Sequence, residues 1–211
     1  MELHLIRHPR PAVEPGVCYG QTDVGLAECP ATVADRLQPL LPESFTLHAS
    51  PLARARLLAE ALGKPRLDDR LKEIHFGDWE GRSFDDIGSA IDDWAADPLG
   101  FRAPGGESPR EMAARVLAWL AEHGVAARTP DAGSESVLAP KPEIAKVGTC
   151  PPSPDEPAHL VVVAHGGPLR VLAGHLLGMP PERWIGLDFG CGQVTRIDVE
   201  SWGTVLKWFN R

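Results

Sequence analysis

Two short apolar runs in this chain, Leu3-His4-Leu5-Ile6 and Leu160-Val161-Val162-Val163-Ala164, each lead into a histidine. The first reaches His8 after Arg7, and the second reaches His165 before Gly166-Gly167. Brief β-rich runs of this kind fit strands buried in a parallel sheet. Open α/β sheets bind ligands outside the carboxyl ends of such strands. The repetition therefore predicts an α/β fold in which His8 and His165 meet at one edge of the sheet. A lone histidine after a strand is ordinarily structural. Two at matched strand ends, one beside an arginine, point to a shared site.

The intervening sequence alternates further strands with helices. Pro9 to Asp23 holds Pro9, Pro11, Pro15, Gly16 and Gly20, which exclude regular structure and predict a loop. A helix is expected over about Ala31 to Leu41, then a strand over Phe45 to Ala49. Ser50 reads as the N-cap of the next helix, with Pro51 in its first position and Gly63 as its stop. This places Arg54 in a first helical turn, where unsatisfied N–H groups and the helix dipole favour an anion. Ser108-Pro109-Arg110-Glu111 is a capping box opening a helix whose core face is Met112, Val116, Trp119 and Leu120. After the strand at 160–164 come a helix to Leu177-Gly178 and an alternating pair, Gln193 to Val199 and Thr204 to Phe209, expected as a hairpin. Strands interleaved with helices predict a three-layer α/β/α sandwich around a mostly parallel central sheet.

At 211 residues the chain is expected to form one domain. Residues 67–111 form an acidic excursion with 12 acidic and 5 basic side chains, against a net charge of −8 for the whole chain. That balance argues against a nucleic-acid surface, which needs a basic face, so any anion site must be local. No apolar stretch approaches the roughly 18 residues of a membrane helix, and the start lacks the pattern of a secretory signal. A cytoplasmic protein without a membrane partner is expected. The four cysteines form no C-x-x-C pair, which indicates neither a zinc knuckle nor a disulfide framework. Residues 129–158 carry 7 prolines in 30 positions and no aromatic, a composition expected to give a mobile insertion.

Gathered at one sheet edge, Arg7, His8, Arg54 and His165, with Glu73 as the leading acid, suit phosphoryl transfer. Planar guanidinium forks match the oxygens of a phosphate monoester. A neutral imidazole can attack phosphorus, and a carboxylic acid can protonate the leaving alkoxide and then activate water. No step calls for a metal or other cofactor. His4, His48, His75, His123, His159 and His175 show no ligand spacing.

These residues resemble the histidine phosphatase superfamily, with its phosphoglycerate-mutase-like fold, over nearly the whole chain except 129–158. The opening strand with Arg-His is matched by Leu5-Ile6-Arg7-His8, and the Ser-x-Leu-x-Arg-Ala signature by Ser50 through Ala55. The Glu-x-x-x-Gly-x-x-Glu-Gly element is matched by Glu73 through Gly81, and the second histidine by His165-Gly166. The resemblance implies that His8 is the nucleophile, that Arg7, Arg54 and His165 bind phosphate with Gly166 beside them, and that Glu73 is the general acid. Glu80 is the lesser alternative acid.

The family usually reads Arg-His-Gly-Glu-Thr with an asparagine a few residues later; here Pro9-Arg10-Pro11 follows, and no asparagine occurs before position 210. Gln21 and Thr22 are candidate substitutes in the phosphate pocket. Pro9 lacks a backbone donor and is left out of the binding set. Glu73 to Glu80 and the tail from Leu177 to Cys191 are similar to the α-ribazole phosphatases, whose substrate is a benzimidazole nucleotide. Trp79, Trp94 and Phe101 are candidates for a wall against such a base, with core packing the favoured role of any single one. A phosphatase of sugar or other small phosphate monoesters is the main alternative. A mutase would need an extra basic cluster, which 67–111 does not offer. A non-catalytic binding module would have no use for His8, His165 and an acid together.

Overall fold

A computed structural model of the chain describes residues 1–125 and 159–211. The proline-rich segment 129–158 lies outside the described residues. The strands are β1 (Glu2–Arg7), β2 (Thr46–Ala49), β3 (Arg66–Leu67), β4 (His159–Ala164), β5 (Val194–Glu200) and β6 (Gly203–Trp208). The helices are α1 (Pro30–Leu37), α2 (Ala53–Leu62), α3 (Phe84–Ile87), α4 (Ala90–Ala96), α5 (Pro109–Glu122) and α6 (Gly166–Leu176). The sheet order is β3-β2-β4-β1-β5-β6. β3, β2, β4 and β1 run parallel, while β5 pairs antiparallel with both β1 and β6. Parallel strands form the larger part of the sheet, and the β5–β6 hairpin closes one side.

The side-chain alternation of the strands divides the core. Leu3 and Leu5 of β1 join Leu160, Val162 and Ala164 of β4 on one face, where α5 and α6 supply Met112, Val116, Trp119, Leu169 and Leu172. Ile6, Val161 and Val163 point to the other face and meet Val33 and Leu37 of α1 and Ala55 and Leu58 of α2. A continuous apolar run thus serves two cores at once, the expected behaviour of a central strand covered on both sides.

Local chemistry sets several boundaries. The capping box on α5 is present, with Ser108 and Glu111 exchanging side-chain and backbone hydrogen bonds. The helix expected to reach Leu41 ends at Leu37 and continues as a 3₁₀ turn over Gln38–Leu40. Pro39 has no N–H to donate to the carbonyl four residues back, so the α pattern stops there although Gln38 itself keeps helical angles. The two-residue β3 was not foreseen, being too short to show any period. In the excursion, the start of α3 and the residues before it are tied to the 9–23 loop by backbone bonds, Cys18 N–H to Arg82 O and Phe84 N–H to Gly16 O.

Gly174 of α6 carries the indole of Trp184 against its bare backbone; a Cβ there would come 2.1 Å from Trp184 Cδ1. Trp184 is 8 % exposed, and its Nε1–H donates to Met179 O at 2.9 Å. Gly174→Ala gains up to about 1 kcal/mol of helix propensity but overpacks a rigid ring at about 1–3 kcal/mol. The expected result is a net loss of about 1 kcal/mol in unfolding free energy by urea denaturation; a stabilised variant would mean the indole moves aside without cost.

Candidate active site

The carboxyl ends of β2, β4 and β1 lie side by side and carry Ser50, His165 and His8. Backbone bonds continue the ladder past the strands, with His8 N–H donating to Ala164 O and Ser50 N–H to Val163 O, each at 3.0 Å. The two imidazoles are buried, with ring centroids 5.1 Å apart at an interplanar angle of 56°.

His8 Nδ1 lies 2.7 Å from the carbonyl oxygen of Pro9. A carbonyl can only accept, so the proton of the neutral ring is assigned to Nδ1 and the lone pair to Nε2. Pro9, set aside for its missing N–H, therefore orients the candidate nucleophile through its carbonyl. Burial pushes the His8 pKa down to about 3, with the Arg54 and Arg7 charges acting in the same direction against the Pro9 bond. His8 is thus a neutral imidazole throughout the physiological range.

His165 Nε2 lies 2.7 Å from Ser50 Oγ, which also accepts from Leu52 N–H at 3.3 Å. When the Ser50 hydroxyl donates to Nε2, the ring proton sits on Nδ1 and makes that atom a donor. Burial, followed by the neighbouring His8, Arg54 and Arg7 charges, holds His165 well below the usual histidine range. Ser50 is not the expected N-cap: α2 begins at Ala53, whose N–H donates instead to Asp23 Oδ1 at 2.7 Å. The serine hydroxyl is two residues too early and is committed to His165.

Arg54 sits in the first turn of α2 and is fully buried. Its Nη1 donates to Thr22 O at 2.9 Å, its Nη2 donates to Gly20 O, and its guanidinium lies 5.3 Å from the Tyr19 ring centre. Arg7 Nη1 donates to Phe189 O, and its guanidinium carbon would lie 3.7 Å from a Cβ on Gly166. Among the described residues, Arg7 Nε, Arg54 Nε and His165 Nδ1 are buried without a hydrogen-bond partner. Buried donors are ordinarily satisfied. Three left free beside a neutral histidine form a donor set for an oxyanion.

Glu73 is held at the start of α6, where Oε2 accepts from Gly167 N–H at 3.2 Å and Oε1 from Ile74 N–H at 2.9 Å. A Cβ on Gly167 would come 2.2 Å from Oε1, so glycine there lets the carboxylate approach the helix. The Glu73 carbonyl accepts from Gln21 Nε2 at 3.1 Å and Arg115 Nη2 at 3.0 Å. Arg115 also donates to Arg70 O and Lys72 O, bracing the whole segment. The side chains of Gln21 and Thr22 are engaged within the protein: Gln21 holds Glu73, and the Thr22 hydroxyl donates to Glu80. It is the backbone carbonyl of Thr22 that reaches the site, through Arg54.

Glu80 accepts from Gln21 N–H at 2.9 Å, Thr22 N–H at 2.6 Å, Phe76 N–H at 3.0 Å and the Thr22 hydroxyl. Burial alone would raise its pKa, but these donors outweigh it and hold the carboxyl below the usual range. Both oxygens of Glu80, the lesser alternative acid, are thus engaged by donors of the protein itself.

His8, Arg7 and Glu73 open onto a cleft of about 1280 Å³ whose walls include Tyr19, Phe84, Trp94, Leu99, Leu117 and Ile185. Phe84 and Ile185 remain 44 % and 59 % exposed at this cleft. Trp79 also borders it but is 5 % exposed, stacks on Phe101 at 5.1 Å and packs with Cys18, Ile87 and Ala103. Of the three aromatics considered for a base-binding wall, Trp94 is therefore the one that lines the cleft half-buried. Arg10, Arg110 and Arg170 also line it. Cations beyond Arg7 and Arg54 thus border the cleft, two of them from outside 67–111, and they escaped notice because they come from three separate segments. Ser50, Tyr19 and Arg115 were likewise missed. Ser50 stood in a recognised motif, whereas Tyr19 and Arg115 had no local signal. Among the described residues no cluster of three or more His, Cys, Asp or Glu side chains has metal-binding geometry, and no helix is long and apolar enough to cross a membrane.

The glucosyl-3-phosphoglycerate phosphatase of Mycobacterium tuberculosis is 31 % identical over 199 residues, covering 86 % of this chain and 78 % of that one. A mycobacterial enzyme of the same name, solved with inorganic phosphate, superposes with a TM-score of 0.70 at 26 % identity, covering 100 % of this chain and 97 % of that one. The α-ribazole phosphatase from Shigella flexneri superposes with a TM-score of 0.77 at 24 % identity, covering 100 % and 96 %. That last likeness bears on the fold alone. The family model of the histidine phosphatase superfamily, branch 1, matches residues 3–133 and 153–211. The chain belongs to that superfamily.

Proposed function

We propose that the protein hydrolyses phosphate monoesters through a phosphohistidine at His8, with α-ribazole 5′-phosphate as its substrate. The observation that carries the mechanism is the neutral His8, Nε2 free, beside three unpartnered buried donors. Arg7, Arg54 and His165 Nδ1 hold the phosphoryl oxygens and neutralise charge as it spreads in the transition state. His8 Nε2 forms the bond to phosphorus while the ester oxygen leaves with a proton from Glu73. Glu73 then takes a proton from water, water oxygen bonds to phosphorus, and the bond to His8 breaks with release of inorganic phosphate.

The apolar cleft supports the substrate assignment. Trp94, Tyr19 and the aliphatic rim offer a benzimidazole base a surface to cover, and the tail around Trp184 is the part of the sequence similar to α-ribazole phosphatases. A second reading, glucosyl-3-phosphoglycerate, is favoured by the 31 % identical relative and by Arg110 and Arg170, which could meet a carboxylate in the cleft. Stacking contributes about 0.5–1.5 kcal/mol beyond area burial, so discrimination against other nucleotides is modest, near tenfold.

A labelled substrate is expected to leave acid-labile phosphate on the wild-type protein and none on His8→Ala. Because the His8 pKa is depressed to about 3, His8 stays unprotonated as the pH falls through 6.5 to 5. Single-turnover phosphorylation by p-nitrophenyl phosphate, corrected for substrate ionisation, is therefore expected to hold at pH 5. An ordinary histidine would be only about 3 % neutral there, so a drop of that size would disprove the buried neutral nucleophile.

Glu73→Gln is expected to slow nucleotide and sugar phosphates far more than p-nitrophenyl phosphate, whose phenolate leaves with little protonation. Equal slowing of both would remove Glu73 from the acid role.

Measured kcat/KM for α-ribazole 5′-phosphate is expected to exceed those for adenosine 5′-phosphate, 3-phosphoglycerate and glucosyl-3-phosphoglycerate. A higher value for glucosyl-3-phosphoglycerate would transfer the assignment to the second reading and leave the phosphatase mechanism intact.

A further inference from the structure

We infer that Glu80 is a positioning residue for phosphate binding: its carboxylate fixes the strap Tyr19–Asp23, and the strap in turn aims Arg54 at the phosphoryl oxygens. Glu80 gathers four donors from two separate segments, the N–H groups of Gln21 and Thr22 and the Thr22 hydroxyl on the strap, and the Phe76 N–H on its own segment. The strap spends its own acceptors on Arg54. Gly20 O and Thr22 O each take one terminal guanidinium nitrogen, and the Tyr19 ring lies 5.3 Å from the guanidinium carbon. Asp23 ends the strap by accepting from Ala53 N–H, the residue before Arg54.

The result is a closed relay, Glu80 to strap to guanidinium, with Arg54 Nε left as the buried donor without a protein partner. Gly20 is built into it. A Cβ there would come 2.1 Å from Ile74 O and 2.7 Å from Glu80 Oε1, so only glycine lets the strap lie against both the carboxylate and its segment. A guanidinium on a long flexible side chain needs such external constraint, since misplacing one charge-assisted donor by about 1 Å can cost about a hundredfold in rate. Nothing in the relay is a proton donor to the substrate. Glu80 acts through position alone.

The inference rests on the assignment of Arg54 to phosphate, which Arg54→Ala tests by itself: it is expected to raise the inhibition constant for vanadate and lower kcat/KM at least a hundredfold. If Arg54→Ala changes neither, the phosphate assignment fails, independently of Glu80. The coupling is tested by Glu80→Gln in the wild-type and Arg54→Ala backgrounds, using p-nitrophenyl phosphate at high enzyme concentration. In the wild type, Glu80→Gln is expected to lower kcat/KM and weaken vanadate by about tenfold, equally for esters with good and poor leaving groups. In the Arg54→Ala background the same change is expected to cost less than twofold, because the group it positions is gone. Equal costs in the two backgrounds, or selective slowing of poor leaving groups, would overturn the inference. Should Glu80→Gln lower the urea midpoint enough to unfold the protein under assay, Thr22→Val removes a single strap bond, and the same loss of coupling in the Arg54→Ala background is expected on a smaller, two- to threefold effect; no effect of Thr22→Val on vanadate would count against the relay.

Discussion

The parallel pairing of β1 with β4 is the constraint on which the site depends. Its register sets Arg7 opposite Ala164, so the residues that follow, His8 and His165, emerge together where the strands end. A slip by one residue would exchange the two faces of β1, sending Leu3 and Leu5 toward α1 and α2 and Ile6 toward α5 and α6. Both cores would be lost with the site. The hydrophobic alternation that stabilises the sheet therefore also fixes the separation of the two imidazoles. Placing β2 on the other side of β4 adds Ser50 and, one helical turn later, Arg54.

Burying two histidines and an arginine in one place works against stability. Each imidazole is held neutral by burial, which costs stability only as the pH falls below the ordinary histidine range, and several buried polar atoms have no protein partner. Desolvated polar groups left unpaired cost about 1–3 kcal/mol each. Backbone carbonyls offset part of this cost, Pro9 taking one donor from His8, Phe189 one from Arg7, and Gly20 and Thr22 two from Arg54. What stays unsatisfied includes Arg7 Nε, Arg54 Nε and His165 Nδ1, all near the carboxyl ends of the central strands. The loops around the site are held both by charged hydrogen bonds to Arg54 and Glu80 and by a small apolar cluster of Cys18, Trp79, Ile87 and Ala103.

The longer strands and helices and the histidine pair were legible in the sequence because each leaves a periodic or local mark: apolar runs ending at His8 and His165, a capping box at Ser108, an alternating hairpin after Gln193. The features that escaped depend on contacts between distant segments. Ser50 looked like a cap, since Ser-Pro before a helix ordinarily is one, and only the adjacency of β2 and β4 turns its hydroxyl to His165. Pro9 was discounted for the donor it lacks, although its carbonyl matters here. Arg115 lies in a helix rich in alanine, and nothing local reveals that it spans three carbonyls of another segment. The substrate end of the site was least legible, because the cleft takes residues from the 9–23 loop, the acidic excursion, α5, α6 and the turn at Pro181–Gly186.

Glu73 and Glu80 show how two carboxylates of one short element acquire different roles. Seven residues apart, they straddle the turn at Gly77, where φ is +53° and a Cβ would come 2.1 Å from Pro104 O. That turn reverses the chain and aims the two side chains at different surroundings. Glu80 enters a nest of four donors that stabilise negative charge and bind it to the strap. Glu73 meets one N–H at the start of α6 and one of its neighbour, and it lines the cleft onto which His8 opens. Residue type alone does not separate the two, and neither does spacing from the nucleophile. The number and origin of the donors around each carboxylate does: Glu80 is fixed by four donors from two segments, whereas Glu73 is held by two backbone N–H groups.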